Sequence, residues 1–524
     1  MGIRKLFCFL CFSIAIGNPI FAQQLLKGSI RDVQSDAPVA FASIGIKNKS
    51  IGVISNLEGD FQVPMTYQTQ GDTIIISCIG YDQMTLPLSS LLKGQINIIK
   101  LKKADYILPE AVVRSKKRRK LSAIALVRRA IKSIPDNYPS SPFSYIGYYR
   151  DYQKKEDQYL NLNEAILAVY DQGFQTDDRV STQIKLYDYQ PNSDFSVDTT
   201  TSIAYDNTIE KFVPNASITP FGGNELSILM MHDAIRNSNV HSYSFADTFS
   251  LNFVKHHKFR LAKPTTNGDL ILHCVEFEGQ YPYVPAKFSV EGKLYIEQGS
   301  YAIHKMNYSV LLEKDSTKQM IYEIQLEYSK TAGLMYLNYI SFNNLFYLAK
   351  PPLFRVVETG FDTSRSSNAQ LTSIINRRTS IDIRLNKPAE RTSALNKENY
   401  TISLKQKNLD IAMVNLGGGN SIRIYFKDSP EIEKLKNEPG KWLPFLTIEY
   451  GAIYDKENNK LNEPEYVAVR QFREFFRQKV TEYPSTPLLP SLFIRKDTTL
   501  SANFIQLERP ENLSDYWMNT PLKY

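Results

Sequence analysis

Cysteine is scarce in this sequence. Four occur in 524 residues, and Cys8 and Cys11 lie in an N-terminal stretch that reads as an export signal. The other two, Cys78 and Cys274, are too few for a disulfide framework. Both sit in apolar stretches and read as small core residues. Tryptophan is scarcer, with 2 residues against 32 Tyr and 28 Phe. Many of those Tyr and Phe rings alternate with polar residues, a pattern that favours β-structure. The apolar run Leu6–Ile16 is too short to cross a bilayer as a helix. Local catalytic signatures are missing as well: no G-x-S-x-G elbow, no H-E-x-x-H and no P-loop. No lipobox precedes Cys8 or Cys11, so a lipoprotein is not expected.

The first 22 residues carry a basic start (Arg4, Lys5), an apolar core, then Gly17, Pro19 and Ala22. That order predicts a signal peptide over 1–22, cut between Ala22 and Gln23. Cleavage removes Arg4 and Lys5 and lowers the formal charge from +8 to +6. The whole chain is 43% hydrophobic and 22% charged, the balance of a folded protein. Much of the positive excess sits in "RSKKRRK", Arg114–Lys120. This run reads as a solvated linker over 103–120 that could also meet an anionic surface. Export, and the lack of an interleaved aromatic platform, argue against nucleic acid.

Residues 24–102 hold short alternating strands with turn signals every 8–12 residues, the pattern of a β-sandwich. "IGVISNLEGDFQVP" reads as a hairpin turning at Asn56–Gly59, and "DTIIISCIGYDQMTLPL" as an apolar run leading into a second. Gly59 is expected to supply a positive φ. Asn56 and Asp60 are expected to bond turn backbone, and Phe61 and Tyr81 to cover the core.

The spacing of Gly28, Ile30 and Asp32, then Pro38–Ile44, Gly52–Phe61 and Ile79-Gly80-Tyr81 resembles the carboxypeptidase-regulatory-like domain. The resemblance implies a transthyretin-like sandwich of the kind common in Bacteroidota envelope proteins. It implies structural roles for Gly28, Asp32, Pro38, Asn56, Gly59, Asp60, Phe61, Gly80 and Tyr81. It implies no peptidase activity, because this accessory domain carries no zinc site.

Beyond the linker, residues 121–374 read as a helix followed by a larger antiparallel sheet. "LSAIALVRRAIKSIPDNYP" predicts the helix, with Ile124, Val127, Ile131 and Ile134 on its buried face. The order of sandwich, helix and "YIGYYR" strand is similar to a longer Bacteroidota family whose downstream domain has no assigned function. The hairpin "GKLYIEQGSYAIHKMNYS" resembles those of LolA-like lipoprotein carriers, whose half-barrel encloses an apolar pocket. Residues 375–524 read as a mixed α/β region. "SPEIEKLKNEPG" starts with a helix capped by Ser429, and "PEYVAVRQFREFFRQKVTEYP" reads as a helix or a helix–strand boundary. "LGGGNS" at 416–421 reads as a turn, not a phosphate cradle.

The sharpest catalytic candidate is His273-x-x-Glu276, the spacing used by zinc carboxypeptidases. "DLILHCVEFEG" reads as a strand, however, and residues three apart in a strand point to opposite faces. The adjacent pair His256-His257 fails as a chelate for the same reason, and His304 is the one later histidine. We therefore expect a mainly β protein with no catalytic residue, no cofactor and no metal. The expected role is an exported, non-catalytic binding module in the periplasm or at the outer-membrane periphery. Its partner would be an envelope protein, a glycan or a lipid. The alternatives are a LolA-like carrier and a zinc carboxypeptidase.

Overall fold

A computed structural model describes residues 24–49, 51–104, 121–155, 158–202, 211–212, 224–238, 253–284, 287–314, 317–362, 379–485, 488–502 and 515–522. The signal segment with its Ala22/Gln23 junction and the basic run Arg114–Lys120 lie outside the described residues. Internal contacts group the chain into two units. One holds Met1–Ser202, Asn215–Leu345 and Arg470–Tyr524; the other holds Ile203–Pro214 and Phe346–Val469. The protein is mainly β, and no helix among the described residues is long and apolar enough to cross a membrane.

The first seven strands are β1 (Leu25–Asp32), β2 (Ser43–Ile46), β3 (Ile51–Ile54), β4 (Asp60–Pro64), β5 (Thr73–Ser77), β6 (Met84–Pro87) and β7 (Ile96–Leu101). They form two sheets, β4-β1-β7 and β3-β2-β5-β6. The stretch around Asn56–Gly59 is therefore a corner between sheets, not the expected hairpin. The Asn56 Oδ1 accepts from the Asp60 N–H at 2.7 Å, and Gly59 has φ 79°. A side chain at Gly59 would also meet the Ile30 carbonyl. These local bonds mimic a hairpin turn, but β4 pairs with β1, placing Phe61 opposite Gly28.

The chain next forms a helix, Ala123–Lys132, capped by Ser122. Its buried stripe is Ala123, Leu126, Val127 and Ala130, rotated from the expected face; Ile124 and Ile131 are only half-buried. Then come β8 (Phe143–Lys155), β9 (Gln158–Asp171), β10 (Gln183–Pro191), β11 (Lys211–Phe212), β12 (His257–Leu261), β13 (Thr265–Asn267), β14 (Leu270–Gly279), β15 (Phe288–Glu297), β16 (Ile303–Lys314), β17 (Thr317–Thr331) and β18 (Leu334–Lys350). The second unit contributes β19 (Val356–Asp362), β20 (Ser380–Leu385), β21 (Tyr400–Leu404), β22 (Lys407–Asn408), β23 (Ile411–Gly417), β24 (Ser421–Phe426) and β25 (Leu446–Tyr450). Last is β26 (Glu465–Thr481), one long strand where the sequence suggested a helix or a helix–strand boundary.

The large sheet runs β10-β9-β8-β26-β18-β17-β16-β15-β14-β12. Alternation along β8 sends Ile146, Tyr148 and Arg150 to one face and Tyr145, Gly147 and Tyr149 to the other. The first face packs on the sandwich. One apolar core joins Phe41, Ile54 and Phe61 of the sandwich to Ile146, Tyr148, Ile166, Tyr339 and Phe476 of the sheet. Phe41 has φ 61°, rare for an aromatic, and stacks on Tyr339 with centroids 4.6 Å apart. The other face meets the short helix Glu225–Met230, capped by Asn224, and the residues after it. His232 there stacks on Phe342 at 4.0 Å.

The second unit forms two further sheets, β19-β20-β24-β23 and β22-β21-β25, around Ile381, Ile383, Ile402, Ile422 and Ile424. "LGGGNS" spans the β23–β24 turn, with Gly419 and Asn420 at φ 67° and 61°. Ser429 caps the helix Pro430–Asn437, as its sequence predicts.

Candidate functional site

Chemistry-bearing side chains gather on the helix-covered face of the large sheet. Asp171 ends β9 and accepts two bonds from Arg236, Nε to Oδ2 at 2.8 Å and Nη2 to Oδ1 at 2.9 Å. Such a bidentate pair fixes both partners. Asp178 lies 3.9 Å from the same guanidinium and accepts from the Thr182 hydroxyl. Asp233 follows the Glu225–Met230 helix. Its Oδ1 accepts from the N–H groups of Ile235 and Arg236, and its Oδ2 from the Tyr328 hydroxyl at 2.5 Å.

All of these groups are buried or nearly so. Burial raises Asp178 above the usual carboxylate range, with Arg236 opposing the rise. Burial pushes Asp233 up to about 6, against the hydrogen bond from Arg236 N–H. On the same face Asp151 is pushed up to about 7 by burial, and the charge of Glu225 adds to the rise. Raised carboxylates beside a cation are a known mark of functional sites, but also of structural ion networks. Space separates the two readings. The void among Phe143, Asp171, Asp233, Arg236 and Tyr328 is about 20 Å³, enough for one water. A neighbouring void by Met230 and Lys496 is about 50 Å³. The bonds of the cluster make an ionic lock. It ties the residues after β9 and those after the helix to β17.

The sandwich-covered face holds a second buried pair. Arg150 Nε bonds Glu474 Oε2 at 2.5 Å, with Arg150 0% and Glu474 1% exposed. Tyr339 donates to the other Glu474 oxygen at 3.0 Å. Burial disfavours the Arg150 charge, but Glu474 together with Tyr148, Tyr152 and Tyr159 outweighs it and holds the guanidinium well above its usual pKa. Glu164 nearby accepts from the Tyr148 hydroxyl and from Asn192 Nδ2.

The β14–β15 ladder is regular from Leu272 to Glu278, so His273 and Glu276 face opposite ways. Glu276 is engaged by Arg260 and by Lys293. Burial lowers the pKa of His273. His257 bonds the Phe253 carbonyl, and burial lowers it to about 4. His304 sits 2.9 Å from Glu297. Among the described residues no group of three or more His, Cys, Asp or Glu is placed to hold a metal. Cys78 and Cys274 are free thiols.

The motif residues of the sandwich lie together in its first 60 residues and serve packing and turns. A side chain at Gly28 would strike the Phe61 ring. Asp32 accepts from the N–H groups of Gln34 and Ser35 and from the Ser35 hydroxyl. Those bonds lower its pKa to about 2. Pro38 bridges Arg31, Gly80 has φ 89°, and Tyr81 is half-buried against the core. Sequence reasoning missed Asp171, Asp178, Asp233 and Arg236 because they come from distant segments. For the Arg150–Glu474 pair on the other face a signal was available: Arg150 is a charge in phase with Ile146 and Tyr148 on an otherwise apolar strand face.

An open cleft of about 470 Å³ lies at the ends of β14 and β15, lined by Glu278, Ser289, Glu291 and Lys318 with Tyr281 beside them. Tyr281 is 79% exposed.

The chain is 36% identical over 110 residues to the TonB-dependent receptor SusC of Bacteroides thetaiotaomicron. That stretch is 21% of this chain and spans only 10% of the receptor. Among solved structures, a LolA superfamily protein from Nitrosomonas europaea is 11% identical, covering 43% of this chain and 86% of that one, with a TM-score of 0.19. A DUF1329 family protein from Desulfovibrio piger is 9% identical, covering 43% and 87%, with a TM-score of 0.21. Scores this low add nothing to the fold described above. Residues 26–113 match the model of the CarboxypepD_reg-like domain, so the chain carries such a domain at its N-terminal end.

Proposed function

We propose that this is an exported cell-envelope protein that acts by binding a partner, without catalysis. The CarboxypepD_reg-like match and the likeness to a short segment of a TonB-dependent receptor support the envelope setting. One observation carries the binding reading. The described centre of the large sheet is covered on both faces, and the voids on its helix side measure about 20 and 50 Å³. Sites for small molecules usually occupy several hundred Å³. An acyl chain has no room there, which counts against the carrier alternative. Among the described residues, a polar cleft beside Tyr281 is open to solvent. Its carboxylates, lysine and exposed ring suit a hydrophilic partner such as a glycan.

Cell fractionation tests this reading. The protein should appear in the envelope fraction with Gln23 as its first residue, and in-cell cross-linking should give a discrete larger species there. Uncleaved protein in the cytoplasm, or an envelope protein that cross-links to nothing, would overturn it.

A further inference from the structure

The segment Tyr516–Leu522 passes between the sandwich and the large sheet with Tyr516, Trp517, Asn519 and Leu522 buried. None of it joins a strand. It is held as a bound peptide is held, by side chains that read its backbone and by pockets that take its side chains. Gln478 of β26 donates its amide to the Trp517 carbonyl at 2.6 Å and accepts from the Trp517 N–H at 3.3 Å. Arg150 donates to the Asn519 carbonyl at 3.4 Å. Gln62 of β4 donates its amide to the Thr520 carbonyl at 2.6 Å. Glu164 accepts from the Thr520 hydroxyl at 2.8 Å.

The peptide side chains answer an exposed need of the sandwich. β4 is an edge strand, and edge strands leave alternate N–H and C=O groups unpaired. At Asp60 the outward N–H is taken by Asn56, and Pro64 has none. Gln62 is the gap. Its N–H is met by Asn519 Oδ1 at 2.7 Å and its carbonyl by Trp517 Nε1 at 2.8 Å. Asn519 Nδ2 also donates to the Ile54 carbonyl at 2.9 Å, spanning β3 and β4. Take the segment away and Gln62, Ile54 and Gln478 lose their partners in a cleft walled by aromatic rings. Buried polar groups left unpaired are costly. The cleft therefore demands an occupant of this chemistry.

We propose that the cleft between β4 and the β8–β9–β26 part of the sheet is a peptide-binding site. It is specific for the Tyr-Trp-x-Asn-Thr sequence that fills it here, and it takes that segment as an exchangeable ligand. Trp517 supplies the anchoring ring and donor, and Asn519 the amide that closes the β3–β4 corner. The inference is independent of the envelope reading above.

The test uses the full chain with a specific protease site inserted between residues 505 and 512, cut only after folding. A fluorescent peptide of residues 513–524 should exchange into the cut protein to one equivalent and should not bind the uncut protein. Peptides carrying Trp517→Ala or Asn519→Ala should bind about 30-fold more weakly or worse, as expected for buried anchors. Failure to exchange, or equal binding of the wild-type and Trp517→Ala peptides, would overturn the proposal. Unfolding on cutting would do so too, since the segment would then be core and not ligand.

Discussion

Glu474→Ala lowers the unfolding free energy by about 3–5 kcal/mol, the usual result of stranding a buried charge. The substitution leaves Arg150 buried, without its carboxylate, and removes the acceptor of the Tyr339 hydroxyl. Replacing both charges, as in Arg150→Met with Glu474→Leu, should cost clearly less than Glu474→Ala alone, because no uncompensated ion remains. Urea unfolding followed by Trp517 fluorescence in a Trp442→Phe background reads the unit in question. A Glu474→Ala cost below about 1 kcal/mol would mean that water reaches Arg150.

Phe61→Ala should cost a similar amount, about 3–5 kcal/mol, through the cavity it leaves. The ring is 1% exposed and lies over Gly28, its cross-strand partner. Glycine at 28 is what lets the ring lie flat on the strand. Phe61→Leu should therefore cost less than Phe61→Ala, since it refills part of the volume. Because the sandwich core continues into the sheet through Phe41, Tyr339 and Phe476, the loss should appear in the Trp517 transition too. A loss confined to the sandwich, with Trp517 unmoved, would show that the two parts unfold separately.

These two residues also mark what sequence can and cannot reveal. Phe61 sits in an alternating strand beside a turn glycine, so its role was legible from period-two patterning. Glu474 was not. In "RQFREFFRQ" the spacing of Phe472, Phe475 and Phe476 is helical, and Arg473 and Glu474 look like a solvated flank. The structure makes β26 a central strand between β8 and β18. There Phe475 packs on one face and Phe476 on the other, and Arg473 and Glu474 are buried as well. A strand covered on both faces loses its alternation, so periodicity cannot separate it from a helix. The Asp171–Arg236 lock was hidden for another reason. Its partners are 65 residues apart in sequence, a separation no local pattern can reveal.

The raised carboxylates hold segments of the fold together, and the proposed function lies at the surface. The direct measurement is an Asp233→Asn variant, followed for both stability and partner binding. Asp233 has a folded pKa of about 6 against an ordinary 3.8. A raised carboxylate disfavours the folded state once it must ionise. That cost is absent below about pH 4 and complete above about pH 6. Relative to the native protein, the variant should therefore gain about 1–3 kcal/mol of stability between pH 4.5 and pH 8. It should still give the same cross-linked species in the envelope fraction. A folded variant that shows no such pH-dependent gain and loses that species would contradict the account, placing the function at the buried aspartates.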